Sequence, residues 1–171
     1  MNRLEKTFKI LKLVFITLII CTLAFIFINS MLPPEISSEQ SGVIGDIIAE
    51  IIPPSTEAGS FIQQYLRKIA HFTEYGLLAI EMVLFAQIFY FIPKKGKASV
   101  LWALVLLTPF AVGFVDESIQ MLNGRGPSIL DVWIDIGGYY TFGALAYAVV
   151  FVSQLIFRII AKKLQKRAIQ K

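Results

Sequence analysis

Four stretches of the chain are apolar for long enough to cross a hydrocarbon layer: about 14–32, 69–92, 98–115 and 132–157. Such a layer is about 30 Å thick and takes roughly 20 apolar helical residues to span. Charged or turn-forming residues bound each stretch. The pattern predicts an all-α polytopic membrane protein, with four transmembrane helices in an antiparallel bundle forming a single domain over 1–171. The longest connection, 33–66, contains "GVIGDIIAEIIPP", in which Ile44, Ile47, Ile48, Ile51 and Ile52 recur at helical intervals with Asp46 and Glu50 opposite. A short amphipathic helix is expected there, lying on the membrane surface or capping the bundle and delimited by Pro33-Pro34 and Pro53-Pro54. Pro109 and Gly113 interrupt the third span, which predicts a kink placed where neighbouring helices satisfy the freed backbone groups.

Composition agrees with lipid as the solvent. The chain is 56% hydrophobic and 16% charged, and its mean hydropathy is +0.69, too apolar for a soluble domain of this size. The first span follows Arg3, Lys6, Lys9 and Lys12, as a signal peptide would. It exceeds the 7–15 residues of a signal core, however, and the "NSMLPPE" that ends it has no A-x-A site, so an uncleaved helix is expected. All Lys and Arg residues except Arg67, Lys68 and Arg125 fall before the first span, in "PKKGK" or in the tail 158–171. The positive-inside rule then puts both termini and that loop in the cytoplasm of a multi-pass membrane protein. A net charge of +4 is a topology signal; the basic tail suits anionic lipid, not nucleic acid. Cys21 is the one cysteine, so neither an intramolecular disulfide nor a cysteine-based zinc site is possible.

Antiparallel threading brings three polar clusters to one side: "RKIAHFTEYG" opening the second span, "DESIQ" closing the third and "NGRGPSILDVWID" leading into the fourth. At about 100° per residue, Arg67, Lys68, His71, Glu74 and Tyr75 share an arc of roughly 120°. Glu81 continues that face about 10 Å deeper. Asp116, Glu117 and Gln120 share an arc on the third span, and Asp131 and Asp135 stand one turn apart on the fourth. Arg125 is the natural counter-ion between them, able to grip a carboxylate or a phosphate.

Each residue also has a plainer reading. Arg67 and Lys68 suit snorkelling, Asp131 completes an S-x-x-D capping box with Ser128, Asp116 and Glu117 suit a solvated loop, and His71 suits a structural role. What those readings leave unexplained is one histidine, five carboxylates and three cations gathered on one side of so apolar a chain. Acid–base work assigns His71, Glu74 and Asp116 as candidate catalytic residues. Lys68, Tyr75, Glu117, Gln120, Arg125, Asp131 and Asp135 are the candidate ligand-binding or site-forming residues. His71 and Glu74 at i, i+3 could bind a divalent metal with Asp116, Glu117 or Asp131, but one H-x-x-E pair without further histidines is a thin ligand set, so no metal is assigned. The sequence leaves any cofactor open, and Ser118 and Ser128 lack a nucleophile elbow.

The motifs "KIAHFTEYGLL", "DESIQML" and "GRGPSILDVWIDIGG", in that order, resemble the VanZ family of bacterial membrane proteins over about Lys68 to Gly143. The resemblance implies that Lys68, His71, Glu74, Tyr75, Asp116, Glu117, Gln120, Arg125, Asp131 and Gly138 belong to the family signature, with Asp135 standing where the family usually has asparagine. It also implies a link to low-level resistance to teicoplanin-type glycopeptides. Three function classes fit. The chain is a cell-envelope protein whose outward polar site binds or modifies an envelope component, such as a lipid-linked or peptidoglycan precursor. Alternatively, it is a membrane hydrolase or transferase using His71 and carboxylates on a lipid-linked or phosphate substrate. In the third class it is a structural or interaction protein whose ion cluster locks the helix ends. Without an internal repeat, a transporter has no alternating-access machinery to use.

Overall fold

The computed structural model describes residues 3–90, 98–124 and 128–169, and every regular element among them is helical. The helices are α1 (Arg3–Met31), α2 (Pro34–Ile51), α3 (Glu57–Tyr90), α4 (Ala98–Leu122) and α5 (Ile129–Ile169). Four of them, α1, α3, α4 and α5, are long and apolar enough to cross a membrane. Four such helices are the architecture of a multi-pass membrane protein. Large apolar side chains line its exterior, with Leu122 88%, Phe114 75% and Phe157 73% exposed, as expected where the solvent is lipid.

The helices outrun the apolar stretches that mark them. α3 starts at Glu57, three turns before Ile69, so "RKIAHFTEYG" lies within the helix instead of opening it. "DESIQ" is likewise inside α4, and α5 runs on through the basic tail. Apolarity marks where a helix touches lipid, whereas its hydrogen-bond ladder continues through Glu, Gln, Lys and Arg, all good helix formers. α2 begins with Pro34 in the first turn, where its missing N–H costs nothing. It stops at Pro53-Pro54, with the Ile52 N–H donating to the Ile48 carbonyl at 2.8 Å. The Gln63 side chain donates to the Gly45 carbonyl at 2.7 Å, fastening α2 to α3. Ile44, Ile47 and Ile51 of α2 remain exposed.

α3 is the central helix, and its most extensive packing is against α5. Two glycines set that closeness. Phe142 occupies the place where a Gly76 side chain would begin, and the Phe72 backbone carbonyl does the same at Gly138. Small residues at a crossing let two backbones approach where no water-driven force presses helices together. A buried cluster of Ile26, Tyr75, Leu78, Ala79, Val112 and Tyr139 joins α1, α3, α4 and α5.

Pro109 is fully buried within α4, which continues through it. A proline leaves the carbonyl four residues earlier without its helical donor, here that of Val105. The Tyr139 hydroxyl donates to that same carbonyl at 2.8 Å, and the Tyr140 hydroxyl donates to the Leu106 carbonyl at 2.7 Å. The proline expected to be satisfied by a neighbouring helix is satisfied by α5.

Candidate functional site

One helical face of α3 carries Lys68, His71, Glu74 and Tyr75, and the close crossing at Gly138 sets that face against the first turns of α5. Tyr75 is completely buried, while the His71 and Glu74 side chains are 16% and 15% exposed. Across from them α5 supplies Asp135, 3% exposed, and α4 supplies Asp116, 1% exposed. His71 Nδ1 lies 4.0 Å from Glu74 Oε2 and 4.0 Å from Asp135 Oδ1. His71, Asp116 and Asp135 each present one ligand atom within 4.8 Å of the others. Residues from three helices, 64 positions apart in sequence at the extremes, thus converge.

α1 completes the wall with neutral donors. Asn29 Nδ2 donates to Glu74 Oε1 at 3.1 Å, and the Ser30 hydroxyl donates to Asp116 Oδ1. Gln120 Nε2 donates to Asp116 Oδ2 at 3.1 Å. Glu74 Oε2 and Asp135 Oδ1 are buried and have no hydrogen-bond partner among the described residues. Asn29 and Ser30 were not anticipated as site residues; the signal was there, since Thr22, Ile26, Asn29 and Ser30 fall on one helical face. Deeper on that face, the Thr22 hydroxyl donates to Glu81 Oε1 at 3.0 Å.

The cations stay at the rim. Lys68 Nζ is 3.5 Å from Asp131 Oδ1, with both side chains about two-fifths exposed, and Arg67 Nη2 donates to Gln120 Oε1 at 3.4 Å. Half of the expected capping box forms: the Ser128 hydroxyl accepts the Asp131 N–H at 3.2 Å. The reciprocal bond is made by another residue, because the Ser128 N–H donates to Glu117 Oε1. Glu117 therefore holds the start of α5 against α4, and Asp131 is left to pair with Lys68. Arg125, expected between α4 and α5, lies outside the described residues.

Among the described residues, openings on two sides of α3 border the cluster. A cleft of about 470 Å³ between α1, α2 and α3 is lined by the polar Asn29, Arg67, His71 and Glu74 and the apolar Phe25, Val43 and Ile44. A recess of about 120 Å³ on the other side of α3 is lined by Lys68, His71, Asp131 and Asp135. His71 borders both.

The model of the VanZ/LLP1 family matches residues 15–157. The chain belongs to the VanZ/LLP1 family. The match reaches back through most of α1, so Asn29 and Ser30 lie inside it together with the three motifs on α3, α4 and the start of α5. No curated protein and no solved structure matches the chain.

Proposed function

We propose that this VanZ/LLP1 chain is a bacterial cell-envelope protein whose polar site opens to the outside of the cytoplasmic membrane and binds or modifies an envelope component. A lipid-linked or peptidoglycan-related precursor fits best, and the consequence is reduced sensitivity to teicoplanin-type glycopeptides. The observation that carries this reading is the cleft itself: Arg67 and His71 beside Phe25, Val43 and Ile44 make one wall for a charged headgroup and another for an acyl chain. In this arrangement both termini are cytoplasmic, as the distribution of Lys and Arg supports. α2 lies in the outer interface with Ile44, Ile47 and Ile51 in lipid.

The test is glycopeptide susceptibility of cells making the native chain or His71→Ala, Glu74→Gln and Asp116→Asn variants at matched membrane abundance. Lower susceptibility with the native chain and loss of that effect in the variants supports the reading. Equal behaviour of all four refutes it.

The position of His71 between Glu74 and Asp135 favours a second reading, a hydrolase or transferase in which the imidazole shuttles a proton and a carboxylate orients it. That reading requires saturable turnover of a lipid-linked phosphate by the purified protein, lost in His71→Gln.

A further inference from the structure

We infer that His71, Asp116 and Asp135, with Glu74 as a fourth ligand, bind a divalent transition-metal ion such as Zn²⁺ or Mn²⁺. The ligand atoms of the first three come from α3, α4 and α5 and lie within 4.8 Å of one another. An ion held at about 2.0–2.2 Å from each ligand spaces those atoms by roughly 3–4 Å, so side-chain rotations of under about 1 Å close the site.

Asp135 is the group that requires an occupant. Its side chain is buried, it accepts no hydrogen bond at Oδ1 from the described residues, and that oxygen faces the same space as His71 Nδ1. The other carboxylates are held as metal ligands are held, oriented by neutral donors that leave coordinating lone pairs available. Ser30 and Gln120 fix Asp116, and Asn29 fixes Glu74 through Oε1 and leaves Oε2 without a hydrogen-bond partner among the described residues, 4.0 Å from His71 Nδ1. No described Lys or Arg approaches Glu74, Asp116 or Asp135 to within 4.0 Å. Three carboxylates around one imidazole therefore form an anionic centre that a dication offsets.

The donor chemistry narrows the choice. Oxygen ligands alone would suit Mg²⁺ or Ca²⁺, whereas an imidazole added to them favours Zn²⁺, Mn²⁺ or another first-row ion. The recess beside His71 and Asp135 and the larger cleft beside His71 and Glu74 give the ion a way in. This inference does not depend on the identity of any envelope component, because an ion is bound whether or not a ligand follows it.

The experiment uses the tag-free, full-length protein in detergent, stripped with a chelator and then titrated with Zn²⁺ or Mn²⁺ alone. Expected is about one ion per chain, with affinity falling at least about tenfold in Asp135→Asn and Asp116→Asn and by a similar factor in Ser30→Ala, which removes an orienting donor. A pulsed electron-resonance spectrum of the Mn²⁺-loaded native protein should show coupling to an imidazole nitrogen, and His71 is the only histidine in the chain. This second readout needs no variant to fold. Native protein that binds neither ion, Asp135→Asn protein that binds as tightly as native, or bound Mn²⁺ without nitrogen coupling would each overturn the inference.

Discussion

Adjacent glycines in α5 give opposite expectations for the same substitution. A Cβ on Gly138 would fall on the backbone of Phe72, well inside contact distance of its carbonyl oxygen, whereas a Cβ on Gly137 would meet only the Phe72 ring edge at 3.9 Å. Alanine in a helix interior is favoured over glycine by about 1 kcal/mol. Gly137→Ala should therefore leave stability unchanged or raise it by up to about 1 kcal/mol. At Gly138 a backbone obstacle cannot rotate away, so α3 and α5 must part by roughly 1 Å, and overpacking of this kind costs about 1–3 kcal/mol. The helix preference is common to both variants, so we expect Gly138→Ala to be the less stable of the two by about 1–3 kcal/mol. Gly138 lies one turn from Asp135, and Phe72 follows His71, so the same displacement widens the polar site. Thermal unfolding of the two variants in one detergent measures the difference. Equal stability would refute the argument that this crossing is closed by Gly138 and that the site depends on it.

Removing the Tyr139 hydroxyl by Tyr139→Phe strands the Val105 carbonyl and should cost about 1–3 kcal/mol. Pro109→Ala returns an N–H to that carbonyl, so the cost of Tyr139→Phe should shrink in the Pro109→Ala background, as a double-mutant cycle would show. Ser128→Ala removes the cap of α5 and should lower stability by about 1 kcal/mol in the same assay. Lys68→Gln breaks a half-exposed pair with Asp131 and should change stability by less than about 1 kcal/mol, while impairing glycopeptide protection if the rim cation meets the ligand.

Different physical signals account for what the sequence showed and what it hid. Span number was legible because some twenty apolar residues in a row have little other use, and the shared face of His71, Glu74 and Tyr75 followed from helical period alone. Helix ends were hidden: α3 begins at Glu57 and α4 runs on through Asp116, Glu117 and Gln120, polar stretches where the ladder continues without a run of apolar residues to mark it. The contributions of Asn29 and Ser30 were hidden for another reason. Uncharged and at the end of an apolar run, they gain meaning only when α1 is placed against Glu74 and Asp116. The role of Glu117 was obscured by proximity in sequence, since Ser128 and Asp131 form a capping pattern on their own, and only the packing of α4 on α5 lets Glu117 take the second half.

The same packing gives a site and a lock different expectations. If the charged cluster served only to fasten helix ends, its buried carboxylates would be matched by buried cations, and neutralising one partner would leave the other stranded at a cost of about 3–5 kcal/mol. Instead, Lys68 and Arg67 sit at the rim against Asp131 and Gln120, and the floor sets three carboxyl groups about one imidazole, with Asn29 and Ser30 as neutral donors. Such a floor is costly to ionise, and a cation entering it offsets that cost. Asp135→Asn in metal-free protein should therefore raise the unfolding temperature while abolishing function, the opposite of what breaking a lock would do. Measured on chelator-treated protein, a fall in unfolding temperature for Asp135→Asn would return the cluster to a structural role.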